Sequence, residues 1–222
     1  MSDIQAATGS DATAETVEQD FEKSAPADRA EAGPLDEREA NPVRPYIDLG
    51  GVKVLPREGM HIRLEVEEGT KRVIAVGLDY AGSTLQVQPF AAPRSSGLWH
   101  EIRGQIADQV AKQGGRTAER EGVFGPELVA QLPIAGGESR VARFVGVDGP
   151  RWFLRGVIAG AGAVNQEAAA AVEDLFRSIV VVRGSGPMPP RDLIPLKMPA
   201  AQVGTTSGAA PAGEAAAPAL GS

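Results

Sequence analysis

The sequence of 222 residues lacks cysteine entirely and contains only two histidines, His61 and His100. Without cysteine the chain can form no disulfide, no thiolate nucleophile and no cysteine-ligated zinc site. Neither histidine belongs to an HxxxH or HxxE sequence, the spacings of common helical metal-ligand pairs. We therefore expect both histidines to be surface residues, and we expect neither a metal site nor a cofactor.

Long hydrophobic runs and an excess of basic residues are also missing. No stretch approaches the roughly 18 apolar residues of a membrane-spanning helix, and the N-terminus lacks the basic and apolar regions of a signal peptide. We therefore expect a cytoplasmic protein without membrane association. The formal net charge is −7, of which residues 1–40 contribute −8, so the rest of the chain is nearly neutral. Residues 41–222, which we call the body, therefore lack the excess of positive charge that drives binding to nucleic acid through counterion release.

Both ends of the chain have the composition of disordered segments. Residues 1–33 are acidic and rich in alanine, serine and threonine, whereas residues 200–222 consist mainly of alanine, glycine and proline. Such segments contain too few apolar residues to form a core. Residues 34–199 are long enough to bury a substantial core. The sequence thus predicts a single folded domain between two disordered tails.

Hydrophobic periodicity within residues 34–199 predicts several strands and two helices. Residues 61–69 alternate between apolar and charged side chains, and residues 71–93 predict a hairpin. A four-residue apolar spacing predicts an amphipathic helix with a buried stripe formed by Leu98, Ile102, Ile106 and Val110. Asn165 is placed to cap a second amphipathic helix. Because tight turns join most strands, we predict an α+β fold with a mostly antiparallel sheet.

Prolines dominate residues 187–199, which read PMPPRDLIPLKMP. Proline fixes the backbone in an extended conformation and removes a hydrogen-bond donor. We therefore expect this segment to be an extended strap laid on the surface of the domain; the alternative is a proline-rich ligand for another protein.

Residues 141–160 contain two apolar runs separated by Asp148-Gly149-Pro150, a sequence typical of a turn. They predict an antiparallel hairpin at the centre of the sheet. The glycine-rich sequence 160–162 that follows is similar to the start of a dinucleotide-binding loop. However, Asn165 stands where the third glycine of that loop is required, and too few elements follow to complete a parallel sheet. We expect a strand-to-helix loop here, and no nucleotide site.

The arginines of this hairpin are its unusual feature. With a turn at 148–150, Arg143 and Arg155 would face each other on apolar strands, and their charges would require an anion beside them. We favour carboxylates from neighbouring strands, for which the candidates are Glu119, Glu121 and Asp79. The alternative is a bound carboxylate or phosphate, or an acidic segment of a partner.

The sequence contains no spacing from which a nucleophile–base pair or a metal cluster can be assembled. We therefore expect a non-catalytic protein-interaction or adaptor module, with a protein partner rather than a small molecule. The alternative is a domain that binds a small anionic ligand, or an enzyme, with an arginine-lined site around Arg143 and Arg155. The candidate ligand- or partner-binding residues are Arg143, Arg151, Trp152 and Arg155.

Three segments carry a resemblance to a known family. They are DLGGVKVLPREGMHIRLEVE, QVQPFAAPRSSGLWHEIRGQIADQVAKQGG and RFVGVDGPRWFLRGVIAG. Together they resemble the actinobacterial domain-of-unknown-function family numbered 3710, and the resemblance covers residues 34–199. It implies a bacterial, cytoplasmic protein and assigns no catalytic residue.

Overall fold

The computed structural model describes residues 21–134 and 138–199, so the two tails predicted to be disordered lie largely outside the described residues. The strands of the described part are β1 (Leu35–Asp36), β2 (Ile47–Asp48), β3 (Val52–Val54), β4 (His61–Val66), β5 (Val73–Tyr80), β6 (Ser83–Ala91), β7 (Arg116–Gly122), β8 (Gly125–Pro133), β9 (Ser139–Asp148), β10 (Trp152–Gly160) and β11 (Val180–Val181). The helices are α1 (Arg29–Ala32), α2 (Trp99–Lys112), α3 (Ala161–Val164) and α4 (Gln166–Arg177).

A seven-stranded sheet in the order β4-β5-β6-β10-β9-β8-β7 forms the centre of the domain. Every neighbouring pair in it is antiparallel, as the prevalence of tight turns predicted. The predicted hairpin of residues 141–160 supplies β9 and β10. Strands β6 and β10 are buried in the middle of the sheet, so the α+β fold class and the mostly antiparallel sheet are confirmed.

A second, smaller sheet packs on one face of the large one. Its strand order is β1-β11-β3-β2, and β1 pairs with β11 in the one parallel arrangement of the described strands. Helix α4 packs in the same layer through Val172, Leu175 and Phe176, which are at most 1% exposed. Asn165 caps α4 by accepting a hydrogen bond from the backbone N–H of Ala168, as predicted.

Helix α2 covers part of the opposite face of the large sheet, over β8, β9 and β10. The predicted apolar stripe is buried against these strands. Trp99 is fully buried, and its ring stacks on Phe153 of β10 with the ring centroids 5.9 Å apart. The stripe is therefore part of the hydrophobic core and does not form a free surface.

Asp148 fixes the start of α2 to the end of β9. Its carboxylate accepts hydrogen bonds from the backbone N–H groups of Leu98, at 2.9 Å, and Trp99, at 3.4 Å. It also accepts from the N–H of Ser24, at 3.0 Å. Burial raises the pKa of Asp148, and the three backbone hydrogen bonds oppose that rise. The contact with Ser24 shows that ordered contacts with the body begin well before residue 34, where we expected the folded domain to start.

The register of the β9–β10 hairpin corrects one of our expectations. Asp148 belongs to β9 and pairs with Phe153, so the turn is formed by residues 149–151. Arg143 is consequently opposite Ile158, and Arg155 is opposite Gly146. Because side chains alternate between the faces of a strand, the two arginines lie on opposite faces of the sheet and do not share an anion.

Candidate functional site: an arginine-lined groove

Arg143 lies inside a closed ion-pair network. Its side chain is 3% exposed, and its Nη2 group donates to Glu127 at 2.8 Å and to Glu173 at 2.6 Å. Its Nη1 group donates to the carbonyl of Gly162 at 3.1 Å. Burial alone would lower the pKa of Arg143, but its hydrogen bonds to the two glutamates outweigh this and raise it. Protein carboxylates thus satisfy Arg143, although they come from Glu127 and Glu173 and not from the three acidic residues that we named.

Arg155 lies on the opposite face of the sheet and has no carboxylate in ion-pair contact among the described residues. Its guanidinium donates to the Oε1 atom of Gln88 and lies 5.8 Å from the ring centroid of Phe90. Its buried Nε atom has no hydrogen-bond partner in the described part of the chain. Burial lowers the pKa of Arg155 to about 10, and the charge of Glu65 opposes this shift.

Trp152 is a core residue. Its side chain is fully buried, and its indole N–H donates to the Oδ2 atom of Asp36 at 2.9 Å. Its buried ring is therefore not available as the wall of an accessible site. The structure thus places Arg143, Trp152 and Arg155 in three separate environments, and it brings none of them together.

Arg151 occupies a different position from the other three candidates. It lies in the β9–β10 turn and lines an open groove with a volume of about 900 Å³. The other lining residues come from the loop after β6 and from the segment after β11, and they are Ala92, Pro93, Arg94, Arg183, Ser185, Gly186, Pro187, Met188, Pro189 and Pro190. The lining includes three arginines and no acidic residue.

The predicted proline-rich strap forms one wall of this groove. It runs beside the end of β6, where the backbone N–H of Arg191 donates to the carbonyl of Ala91 at 2.8 Å. The N–H of Ala91 in turn donates to the carbonyl of Asp192 at 2.8 Å. The N–H of Ala92 donates to the carbonyl of Arg151 at 3.0 Å, which brings the turn against the same edge. Three backbone segments thus place Arg94, Arg151 and Arg183 around one depression.

The three arginines of the groove have no ion pair with any acidic residue that the structure describes. Arg151 donates to the carbonyl of Gly184 at 2.8 Å, and Arg183 donates to the carbonyl of Gly186. The buried Nε atom of Arg183 has no partner among the described residues. Burial lowers the pKa of Arg183, and the positive charge of Arg151 lowers it further. An anion in the groove would relieve this repulsion.

Lys23 adds a fourth positive charge beside the groove. Its ammonium group donates to the carbonyls of Pro93, at 3.2 Å, Pro150, at 2.9 Å, and Gly149. Burial lowers the pKa of Lys23, the charge of Asp148 raises it, and the charge of Arg29 lowers it. Because three carbonyl groups already accept its hydrogen bonds, Lys23 links the backbone segments at the edge of the groove. We therefore assign contact with a ligand to the three arginines and not to Lys23.

A second depression, of about 710 Å³, lies at the other end of the sheet. It is lined by residues that include His61, Asp79 and Arg140. The carboxylate of Asp79 is already engaged by Arg63 at 2.6 Å and by the hydroxyl of Thr84 at 2.7 Å. The described residues contain no cluster of three or more metal-ligating side chains, there or elsewhere. The arginine groove is therefore the better candidate site.

Sequence reasoning named Arg151 but missed Arg94 and Arg183. Each is a single arginine in a loop, one after Pro93 and the other directly before a glycine-rich turn, and neither belongs to a recognisable pattern. The available signal was the strap, because a proline-rich segment laid on a surface creates a groove along its edge.

Comparisons with known proteins assign a family but no activity. A family model described as "Protein of unknown function (DUF3710)" matches residues 33–204, which is more than half of the chain. No curated protein and no solved structure matches the chain. No helix among the residues that the structure describes is long and apolar enough to cross a membrane.

Proposed function

The chain therefore belongs to the DUF3710 family, whose description names no activity, and we propose that its domain is a non-catalytic interaction module. Its ligand is an acidic segment of a partner protein, bound in the groove of Arg94, Arg151 and Arg183. The observation that carries this proposal is the convergence of three arginines, without any acidic lining residue, in one open groove.

Arginine chemistry favours carboxylate ligands at this site. A guanidinium presents a planar set of donors that binds a carboxylate through two parallel hydrogen bonds. Arg94 is exposed, and Arg151 and Arg183 are partly buried, so all three are open to solvent to some degree. Partial burial strengthens an ion pair relative to one in open water.

The shape of the groove favours an extended chain as its ligand. The strap supplies four consecutive lining residues, Pro187 to Pro190, and among them the half-buried Met188 offers an apolar contact. Prolines hold this wall in one conformation, which lowers the entropic cost of binding. A segment with acidic residues around an apolar one would match this arrangement.

The second candidate function is binding of a small anion such as a phosphate ester. The same orphaned Nε atom of Arg183 and the same charge repulsion with Arg151 favour it. In this structure the site of such a ligand is the groove and not the surroundings of Arg143, because glutamates already neutralise Arg143.

Fluorescence anisotropy with two labelled peptides tests the proposal. The probe is a twelve-residue peptide rich in glutamate, and the matched control replaces each glutamate with glutamine. We expect the acidic peptide to bind, and we expect the triple variant Arg94→Gln/Arg151→Gln/Arg183→Gln to weaken binding at least about tenfold, since several charge-assisted contacts are lost. Arg116→Gln removes an exposed arginine of β7, outside the groove, and should leave binding unchanged.

Equal binding by the triple variant and the wild-type chain would overturn the proposal. Inorganic phosphate and pyrophosphate are tested in parallel by calorimetry. If these ions bind with the same arginine dependence while the acidic peptide does not, the groove is a small-anion site and the protein-segment proposal is wrong.

A further inference from the structure

We propose that the acidic N-terminal segment of this same chain, residues 1–20, binds in the arginine groove and competes there with the partner. The inference rests on the proposed function, because it concerns the occupant of the same groove. It makes the module self-inhibited, so that an external acidic segment binds only by displacing an internal one.

Charge complementarity is the first argument. Residues 1–20 contain five acidic residues and no basic one, and the acidic residues are Asp3, Asp11, Glu15, Glu18 and Asp20. The groove presents three arginines and no acidic residue. The strongest unbalanced negative charge of the chain thus belongs to the segment that precedes the described residues, and a matching positive charge lies on the body.

The position at which this segment meets the body is the second argument. The carbonyl of Phe21 accepts a hydrogen bond from the N–H of Gly97 at 2.7 Å, and the Phe21 ring packs on His100 with centroids 4.3 Å apart. Two residues later, Lys23 bonds the carbonyls of Pro93 and Pro150. Pro93 lines the groove, and Pro150 precedes Arg151 in the chain. Residues 1–20 therefore join the body beside the groove.

Chain length is the third argument. Twenty residues reach at most about 70 Å when fully extended, and a flexible chain of that length has a typical end-to-end distance of about 25 Å. Tethering at this range gives an effective concentration on the order of 1 mM. At this effective concentration, an intrinsic dissociation constant of about 1 mM between the segment and the groove gives half occupancy.

The experiment uses the full chain and compares two sets of substitutions. The first set neutralises the segment with Asp3→Asn, Asp11→Asn, Glu15→Gln, Glu18→Gln and Asp20→Asn. The second set changes the net charge equally by neutralising five exposed acidic residues of the body that form no ion pair among the described residues, with Glu58→Gln, Glu68→Gln, Asp108→Asn, Glu121→Gln and Glu138→Gln. The readout is the affinity for the labelled glutamate-rich peptide.

We expect the first set to tighten peptide binding about three- to tenfold, because it removes an internal competitor at millimolar effective concentration. The second set should change the affinity by less than twofold. If both sets tighten binding equally, the effect is one of net charge and the inference is wrong. If the peptide binds the first set and the wild-type chain with equal affinity, the inference is also wrong, while the proposed function stands.

A second measurement detects the internal contact without any added peptide. Since the chain has no cysteine, Ser10→Cys gives a unique position for a nitroxide spin label. We expect paramagnetic broadening of the backbone amide signals of Arg94 and Gly184, and no broadening at Gly82 in the β5–β6 turn, which lines the depression at the other end of the sheet. The triple groove variant and 1 M salt should both abolish the broadening. Absence of broadening in the wild-type background would overturn the inference.

The two measurements together separate the two proposals. Broadening at the groove combined with no peptide binding by any variant would support the internal contact and overturn the proposed partner function. Peptide binding by the wild-type chain without broadening would support the proposed partner function and overturn the internal contact.

Discussion

Replacing Arg143 and Arg155 by methionine should affect stability in opposite ways, although both residues belong to the same hairpin. Methionine approximates the length and the apolar part of the arginine side chain and removes the charge. Among the described residues, Arg143→Met leaves Glu127, which is 1% exposed, with only Arg120 as a charged partner. Breaking a buried ion pair in this way costs about 3–5 kcal/mol. We expect a loss of unfolding free energy in that range.

Arg155→Met removes a guanidinium that has no carboxylate partner, and whose Nε atom has no hydrogen-bond partner, in the described part of the chain. The methionine keeps the contact with Phe90, since thioethers pack well on aromatic rings. We therefore expect an unchanged stability or a gain of about 1 kcal/mol, because the cost of burying an incompletely paired charge disappears.

Urea unfolding, monitored by the fluorescence of Trp99 and Trp152, measures both effects, since both indoles are fully buried. The double variant Arg143→Met/Glu127→Gln provides the control for the network. It should cost less than the sum of its two single variants, because neither partner is then left as an unpaired buried charge.

Two outcomes would refute this reasoning. A loss below about 1 kcal/mol for Arg143→Met would show that water or another group satisfies Glu127. A loss above about 2 kcal/mol for Arg155→Met would show that Arg155 has a stabilising partner outside the contacts described above.

Three further predictions concern the helix, its cap and one surface ion pair. Ile106→Ala should lower the unfolding free energy by about 2–5 kcal/mol in urea titrations, because Ile106 is only 4% exposed on the face of α2 that packs on the sheet. A change below about 0.5 kcal/mol would contradict this packing. Asp148→Ala should cost about 2–4 kcal/mol by the same measurement, since three backbone donors lose their acceptor, and Asp148→Asn should cost less. The hydrogen bond from Arg63 lowers the pKa of Asp79 below the ordinary value of 3.8. The pair therefore stabilises the folded state above about pH 4, and this stabilisation is lost as the pH falls through the folded-state pKa of Asp79. Carboxylate NMR titration should show the Asp79 pKa rising toward 3.8 in Arg63→Gln, and an unchanged pKa would refute the assigned cause.

Local patterns explain which parts of the fold could be predicted from sequence. The four-residue spacing from Leu98 to Val110 identified α2, and Asn165 identified the start of α4, because each signal lies within one element. The hairpin of residues 141–160 was also visible, since a turn sequence separates its two apolar runs. The small sheet was not predicted, because its two- and three-residue strands are too short for a periodicity.

The hairpin register could not be obtained from local patterns. The turn residues permit a turn centred on Gly149 or one displaced toward Arg151. The displaced turn is closed by the N–H of Gly149, which donates to the carbonyl of Trp152 at 2.7 Å, and its register accompanies contacts of the Asp148 carboxylate with the start of α2 and with Ser24. Since side chains alternate with a period of two, this displacement separates Arg143 from Arg155. The register of the hairpin thus decides which arginines share a face of the sheet.

The groove shows how the same chain uses arginines in two ways. Eight arginines of the described residues form ion pairs with acidic side chains. Arg94, Arg151 and Arg183 form no such pair with any acidic residue in the described part of the chain. Three separate loops contribute these arginines, so their convergence reflects the path of the backbone and not a local sequence motif. Residues 1–20 carry five acidic residues and no basic one, and they join the body at Phe21, beside the groove. The sequence alone shows that residues 1–20 are acidic, but only the position of Phe21 in the fold places the start of this segment beside the three arginines of the groove.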